Sequence, residues 1–402
     1  MWHDQLGAIL RQVPAQIAAG LLATSGILLL VLGLRFAGGL EPLELMAYDR
    51  LVLFRSVGPG SQDRVVQIGI TEEDINRFGW PLSDRILAET IRRLHRAEPA
   101  AIGIDIFRPL PIGEGTQLLA DVLESTPEVI WADQFGLSEA DGLPAPAIIQ
   151  ASRRNGFADF VPDRGGVVRR GLLYLNDQRH REEALSLKLA LLYLAPHNIV
   201  PRPDANGYLT LGHVVLPPLR NPLGGYAPNV DTRGYQVFLE FHGPNRIESF
   251  SLAALFDGLM PDSMIRGRVV LLGWTASSVK DYVGTPLNVV AEHEMFGTTL
   301  LSLFTAQLLA AGLDGITPTH PLSLSVETIL IALMILGGGC AGTFVRNSVQ
   351  FSASMLIGML IILAGCVRAF AHSIWLPVLP MTSGWVLAGL SAAAAIAHVE
   401  RT

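Results

Sequence analysis

Charged residues and cysteines are scarce in this chain. Asp, Glu, Lys and Arg make up 16% of the 402 residues, and the mean hydropathy is +0.39. An ordinary soluble protein of this length is more polar. The sequence therefore predicts that part of the chain lies in a lipid bilayer. The bilayer is thus expected to be one of its binding partners.

An excess of basic residues is also absent. The chain has 29 Lys and Arg against 36 Asp and Glu, which gives a formal net charge of −7. Binding to nucleic acid needs clustered Lys and Arg, because these neutralise the phosphates. We therefore expect no nucleic-acid partner.

The two cysteines, Cys340 and Cys366, both lie in apolar runs near the C-terminus. The polar part of the chain consequently has no thiol that could form a disulfide or bind zinc. Its stability must come from a hydrophobic core, and roughly 280 residues are enough to build one.

The common catalytic motifs are missing as well. The sequence has no Gly-x-Ser-x-Gly elbow, P-loop, His-Glu-x-x-His motif or Cys-x-x-Cys pair. His242 and His293 stand in unrelated contexts, so a metal site would need scattered residues. We predict that this chain is not an enzyme and that it has no catalytic residue, metal or cofactor.

Four apolar runs are long enough to cross a bilayer as helices, which requires about 20 residues. They span residues 16–34, 324–344, 349–367 and 375–397. The first exceeds the length of a signal-peptide core and lacks a clear cleavage site, so we interpret it as a retained membrane helix. The predicted organisation is an N-terminal segment (1–15), a membrane helix (16–35), a large outer domain (36–321), three membrane helices (322–398) and a short tail (399–402).

The distribution of arginines indicates the orientation of the helices. Arg11, Arg346 and Arg401 would be cytoplasmic in one orientation, whereas Arg35 and Arg368 would then lie outside. The count favours a cytoplasmic N-terminus and an extracytoplasmic outer domain. For a bacterial protein this means the inner membrane, with the large domain in the periplasm.

Small residues in the last three apolar runs mark candidate packing faces. Gly338 and Gly342 have GxxxG spacing, and Ala388 and Ala392 are also four residues apart. The alternative is that Gly and Ala are simply common in membrane helices. Glu327 is the one carboxylate near a predicted span, and we expect it to reach the membrane interface rather than to pair inside the helix bundle.

The outer domain alternates β-branched runs with amphipathic segments. Strands are predicted at residues 64–70, 101–107, 128–133, 235–241 and 268–274, and helices at 72–78, 85–97, 118–125, 182–194 and 295–311. A hairpin is predicted around 163–170, leading into 172–175. The pattern predicts an α/β or mixed α+β domain with β-α-β units.

Several motifs in this region resemble the second type of CHASE domain, a sensory extracellular module associated with bacterial cyclases and histidine kinases. They lie in the same order in residues 65–85 (VVQIGITEEDINRFGWPLSDR), 101–107 (AIGIDIF), 156–170 (GFADFVPDRGGVVRR), 241–258 (FHGPN followed by FSLAALFDG) and 265–287 (IRGRVVLLGWTASSVKDYVGTPL). The resemblance covers about residues 43–309, and three trailing membrane helices also fit the family layout. One departure is that Glu294 is followed by Met-Phe-Gly where the family has x-His-Ala, which puts any role of that histidine in doubt.

The motifs contain the candidate ligand-binding residues, which are Asp74, Trp80, Arg85, Asp105, Phe107, Arg169 and Asp281. Asp105 stands in an otherwise apolar strand and needs either a position at the strand's end or a partner. Asp74, Arg85 and Arg169 are the expected partners. Two interpretations stay open: a ligand crevice at the strand ends, walled by Trp80 and Phe107, and a purely structural role, which we prefer.

The resemblance implies a transmembrane receptor that senses an unknown extracytoplasmic ligand and relays it to a cyclase, diguanylate cyclase or kinase. No residues remain after position 402 for such an output domain, so the expectation is either a piece of a longer signalling enzyme or a stand-alone interaction or structural subunit of a membrane assembly. A homodimer or a membrane partner subunit is expected. A transporter is a weaker alternative, because paired broken helices and buried charges are lacking.

Overall fold

The computed structural model describes residues 14–55, 61–135, 142–176, 181–241, 247–289, 295–345 and 347–402. Five residues used in the sequence analysis lie outside these ranges: Arg11, His242, His293, Glu294 and Arg346. The described chain forms two compact units. The membrane unit comprises residues up to 55 together with 220–231 and 319–402, and the soluble unit comprises 56–219 and 232–318.

The helices and strands have the following bounds. The helices are α1 (Ala15–Phe36), α2 (Glu41–Phe54), α3 (Glu72–Phe78), α4 (Asp84–Arg96), α5 (Thr116–Ser125), α6 (Ala147–Ala151), α7 (Leu185–Leu194), α8 (Leu252–Phe256), α9 (Gly297–Asp314), α10 (Leu324–Phe344), α11 (Ser348–Ala371) and α12 (Val378–Val399). The strands are β1 (Val65–Ile70), β2 (Ala101–Asp105), β3 (Val129–Asp133), β4 (Asn155–Phe157), β5 (Arg170–Asn176), β6 (Arg181–Glu183), β7 (Arg202–Pro203), β8 (Leu209–Leu211), β9 (Val214–Leu216), β10 (Tyr235–Phe238), β11 (Glu248–Ser251), β12 (Val269–Trp274), β13 (Tyr282–Val283), β14 (Met295–Phe296), β15 (His320–Pro321) and β16 (Ile374–Trp375).

A six-stranded sheet with the order β11-β1-β12-β2-β3-β4 forms the centre of the soluble unit. All five neighbouring pairs are parallel. Strands β1, β2 and β12 are buried along their whole length, which explains why they are apolar apart from Gln67 and Asp105 and do not alternate with polar residues. Strand β12, from late in the chain, lies between β1 and β2.

Helices cover both faces of this sheet. Apolar residues of α4, α5 and α8 form one hydrophobic cluster with the inward side chains of β1, β2 and β12. Helix α9 packs on β1 and β12 on the other face, and α7 packs there on β2 and β3. The soluble unit is thus an α/β domain, as the alternation of strands and helices predicted.

Two small antiparallel sheets accompany the central one, with the orders β10-β5-β6 and β7-β8-β9. The hairpin predicted around 163–170 is present in part: Val161 bridges Arg170, and the Asp163 amide donates to the Val167 carbonyl. Gly165 and Gly166 occupy this turn with φ of 92° and 80°, a region that favours glycine.

Four helices of the membrane unit, α1, α10, α11 and α12, are long and apolar enough to cross a bilayer. Helices α1, α10 and α12 pack closely together, and α11 packs on α12 and α10. A Cβ atom at Gly338 would lie 2.1 Å from the Trp385 carbonyl oxygen, and one at Gly342 would lie 2.1 Å from that of Gly389. These two glycines therefore let α10 approach the backbone of α12.

Ala388 and Ala392 of α12 are completely buried in the membrane unit. Helix α2, which the sequence analysis assigned to the outer domain, clusters with the membrane helices. The carboxylate of Glu44 in α2 accepts hydrogen bonds from the amides of Val378 and Leu379 at the start of α12, at 2.9 and 2.8 Å. Burial raises the pKa of Glu44 to about 7.

The prediction for Glu327 was wrong. Its carboxylate forms a buried ion pair with Arg35, the next-to-last residue of α1. Arg35 also donates to the Gly224 carbonyl oxygen at 2.9 Å. A buried arginine and a buried glutamate at the ends of two apolar helices satisfy each other, since either alone would carry a large desolvation cost.

Candidate functional site

A cavity of about 380 Å³ opens at the carboxyl edge of the six-stranded sheet. The ends of β2 and β12, the segment after β4, the loop before β13 and the first turns of α9 all contribute to its wall. Carboxyl ends of parallel strands form the usual ligand crevice of open α/β sheets. The volume lies within the range of pockets that hold small molecules.

Asp105, the last residue of β2, is the most buried charged group in this cavity, with 7% of its surface exposed. The hydroxyl of Thr298 in α9 donates a hydrogen bond of 2.6 Å to its Oδ2 atom. Thr298 reaches it across β12, where a Cβ atom at Gly273 would lie 2.0 Å from the Thr298 hydroxyl oxygen. The absence of a side chain at Gly273 therefore permits this contact.

Asp281, in the loop before β13, is the second carboxylate of the cavity. Its side chain lies over the first residue of α9: a Cβ atom at Gly297 would be 3.1 Å from both carboxylate oxygens. The backbone amide of Gly297 also donates to the Asp281 carbonyl oxygen at 3.1 Å. Both carboxylates are therefore at the N-terminal end of α9, where the helix dipole favours negative charge.

Burial raises the pKa of both acids, and Asp281 also raises that of Asp105. Burial, together with repulsion from Asp281, raises the pKa of Asp105 to about 7, although the Thr298 hydrogen bond acts in the opposite direction. Burial also raises the pKa of Asp281. An acid with a shifted pKa inside a cleft is typical of functional sites, although structural networks produce such shifts as well.

Aromatic rings form the apolar part of the wall. Phe107 follows β2, Phe160 follows β4 and Trp274 ends β12. Trp80 packs edge-on against Trp274, with 4.5 Å between ring centroids, and 54% of its surface is exposed. Trp80 thus supports a wall of the cavity from outside, whereas Phe107 lines it directly.

Asp74 lies elsewhere and is completely buried. Its carboxylate caps α3, accepting from the amide of Thr71 at 2.8 Å, and also accepts from the amides of Leu252 and Ala253 at the start of α8 at 3.2 and 2.7 Å. These bonds join two helix N-termini. Asp74 therefore stabilises the fold and does not line the cavity.

The two arginines proposed from the sequence are also distant from the cavity wall. Arg85 is exposed and pairs with Glu114 at 3.0 Å, and Arg169 is buried against Asp163 at 2.9 Å. The prediction that Asp74, Arg85 or Arg169 pairs with Asp105 was therefore wrong, because Asp105 bonds to Thr298 instead. Of the seven candidates, Asp105, Phe107 and Asp281 share the cavity.

Sequence reasoning missed Thr298, Trp274 and Phe160. Thr298 is 193 residues from Asp105 in the chain, and no local pattern connects them. Trp274 offered a usable signal, because it ends a predicted buried strand directly before a segment with polar residues.

The family comparison agrees with this architecture. The model of the CHASE2 domain matches residues 26–340, well over half of the chain, and the chain belongs to this family. CHASE2 domains are sensory extracellular domains, not catalytic ones. No significant match was found among curated proteins or among solved structures.

Proposed function

We propose that this chain is the input module of a transmembrane receptor in a bacterial inner membrane. Its soluble unit lies outside the cytoplasm and binds a small ligand in the cavity at the carboxyl edge of the sheet. Ligand occupancy is relayed through the membrane helices to a cytoplasmic cyclase, diguanylate cyclase or kinase output, and the receptor acts as a homodimer or with a membrane partner.

The position of α9 in the chain carries the proposal. Its first residues, Gly297 and Leu301 among them, line the cavity, and Thr298 bonds to Asp105. Its last residue is Asp314, and the membrane helix α10 begins at Leu324. A ligand that displaces or tightens the start of α9 thereby acts on an 18-residue helix, about 27 Å long, that the chain connects to a membrane span through residues 315–323.

The coupling needs only a modest difference in ligand affinity between two arrangements of the helices. About 1 to 3 kcal/mol changes the ratio of the two states by about 5- to 150-fold. A contact such as the hydrogen bond between Thr298 and Asp105 is of the right magnitude, because bonds to charged groups contribute about 1.5 to 3 kcal/mol.

The proposal is tested by joining a diguanylate cyclase catalytic domain after Thr402 and measuring its activity in membranes. Ala158→Trp fills the cavity and Asp105→Asn removes its buried charge, so each should change the activity several-fold. Asp121→Asn, on the exposed surface of α5, is the control and should leave activity unchanged.

A flexible Gly-Ser insertion between Ile316 and Thr317 tests whether the signal passes from α9 to α10 through the segment that connects them. We expect it to abolish the response to Ala158→Trp while the soluble unit keeps its unfolding temperature. Activity that is the same in all cavity variants, with folding intact, would contradict a receptor role for this cavity.

A further inference from the structure

Two carboxyl groups without a basic partner line the cavity at the carboxyl edge. Asp105 and Asp281 both line it, and neither forms an ion pair with any residue in the described ranges. Lys280 also belongs to the wall, but its side chain is exposed and forms no ion pair with either carboxylate. The walls therefore contain two acids and no basic group that neutralises them.

Only one of the two carboxylate oxygens of Asp105 accepts a hydrogen bond from the described residues. The Thr298 hydroxyl bonds to Oδ2, and Oδ1 accepts no hydrogen bond from the part of the chain that the structure describes. Burying a carboxylate without a charged or fully hydrogen-bonding partner costs several kcal/mol. The start of α9 offers about half a positive charge, which is less than two carboxylates require.

The aromatic wall indicates what kind of cation completes the site. Phe107, Phe160 and Trp274 surround the same cavity, and aromatic faces attract an ammonium group within about 6 Å. A calcium ion would need six to eight oxygen ligands. The described residues contain no group of three side chains able to hold a metal ion, so an organic cation fits the site better than a metal.

We propose that this pocket binds a small organic amine, with its ammonium group at Asp105 and Asp281 and its apolar body against Phe107, Phe160 and Trp274. This inference rests on the proposed function, because it specifies the ligand class of the same pocket. A singly charged amine offers donors to the free oxygen of Asp105 and to Asp281, and its ring or chain fills the apolar remainder.

Three probes of similar shape and different charge test the ligand class. Phenethylamine is the cation, 2-phenylethanol is neutral and 3-phenylpropanoate is the anion. Binding is measured by saturation-transfer NMR on the whole chain in phosphatidylcholine nanodiscs, and empty nanodiscs correct for partition into lipid. The part of the signal that disappears in the cavity-filling variant Ala158→Trp is the part that comes from this pocket.

We expect phenethylamine to bind at least about tenfold more tightly than 2-phenylethanol, and 3-phenylpropanoate not to bind. Asp281→Asn and Asp105→Asn should each weaken phenethylamine binding by about tenfold or more, because each removes a charge-assisted hydrogen bond. Neither should weaken 2-phenylethanol binding to the same extent. Asp121→Asn is the matched control, and unfolding temperatures show that every variant is folded.

Two further measurements separate a charge effect from a structural one. Phe107→Leu should weaken the amine by about two- to fivefold and leave the alcohol nearly unchanged, since the alcohol makes no cation–π contact. Amine affinity should also fall as the pH decreases below about 7, because Asp105 then takes up a proton while the amine stays charged.

The outcomes distinguish this inference from the proposed function. Equal binding of alcohol and amine, or unchanged amine affinity in Asp281→Asn, overturns the amine class but leaves a ligand pocket that Ala158→Trp blocks. Preferred binding of 3-phenylpropanoate has the same meaning. Failure of all three probes to give a signal sensitive to Ala158→Trp overturns the amine class, whereas the cyclase assay judges the receptor role separately.

Discussion

The hydroxyl of Thr298 donates a hydrogen bond of 2.6 Å to the carboxylate of Asp105, and this bond joins the N-terminal turn of α9 to the end of β2. The bond crosses β12 at Gly273, which is paired with Asp105 in the sheet. Any side chain at position 273 would occupy the place of the Thr298 hydroxyl. The geometry of the candidate site therefore depends on a glycine that does not itself line the cavity.

Gly273→Ala should destabilise the soluble unit by about 1 to 3 kcal/mol, the usual cost of overpacking a tight contact. The added Cβ would lie 2.0 Å from the Thr298 hydroxyl oxygen and 3.0 Å from its Cβ, so α9 has to shift. Thr298→Ala alone should cost about 1 to 3 kcal/mol through the bond lost to Asp105.

The double variant Gly273→Ala/Thr298→Ala should lose less than the sum of the two single changes, because the clashing hydroxyl is gone. Denaturant unfolding of the four proteins gives this coupling directly. Additive losses would mean that Gly273 and Thr298 do not constrain each other.

Asp105→Asn should make the protein more stable above about pH 8 and should flatten its pH dependence. The pKa of Asp105 is about 7 in the folded protein, whereas an aspartate in an unfolded chain has a pKa of 3.8, so the folded state binds more protons between about pH 4 and 7. Wild-type stability consequently falls as the pH rises through that window. The gain above it should be at most about 4 kcal/mol, because the pKa rises by roughly three units and each unit represents about 1.36 kcal/mol.

The measurement is thermal unfolding at a series of pH values for wild type, Asp105→Asn and the surface control Asp121→Asn. Wild type and the control should share one pH profile, and the Asp105 variant should approach them at low pH. Parallel profiles for all three proteins would show that Asp105 titrates normally.

Much of the fold follows from local patterns in the sequence. Strands such as VVQIGI at β1 and VVLLGW at β12 are apolar apart from Gln67 and are rich in valine, isoleucine and leucine, because both of their faces are buried. Helix α4 begins where Ser83 caps it, and its amphipathic face packs on the sheet. These elements depend on short-range chemistry that the sequence displays directly.

The partners of buried charges could not be predicted in the same way. Asp105 bonds to a threonine 193 residues away, and Glu327 pairs with Arg35 across 292 residues. Which side chain meets a buried acid depends on how strands are ordered and helices packed, and β12 between β1 and β2 is an order that no local pattern specifies. A crevice at the strand ends was one of two interpretations left open by the sequence, and the contacts of its buried acids were not predicted.

Removing one partner of the Arg35 and Glu327 pair should destabilise the membrane unit more than removing both. Glu327→Leu leaves a buried guanidinium whose remaining bond goes to the Gly224 carbonyl, and Arg35→Met leaves a buried carboxylate, so each should cost about 3 to 5 kcal/mol. The double variant Arg35→Met/Glu327→Leu should recover a large part of this loss. Unfolding of the chain in mixed micelles of increasing denaturing detergent measures all four proteins, and a double variant at least as unstable as the sum of the single ones would contradict the pairing.

Substitution of Gly338 should separate α10 from α12. A Cβ atom there would lie 2.1 Å from the Trp385 carbonyl oxygen, whereas one at Gly365 in α11 meets nothing within 4 Å. Gly338→Leu should therefore cost about 2 kcal/mol or more through lost helix packing. Gly365→Leu is the matched control and should be neutral, and equal effects of the two changes in the same detergent unfolding assay would argue against a packing role for Gly338.

The orientation of the chain is tested with single cysteines. In a background with Cys340→Ala and Cys366→Ala, Ala205→Cys places a thiol on an exposed turn before β8, and Thr402→Cys places one after α12. If the soluble unit is extracytoplasmic, a membrane-impermeant maleimide should label position 205 in spheroplasts and label position 402 only after the membrane is opened. The reverse pattern would put the cavity in the cytoplasm, and the ligand would then be a cytoplasmic molecule. In that case Arg35 and Arg368 would lie on the cytoplasmic side, and the count of arginines would have favoured the wrong orientation.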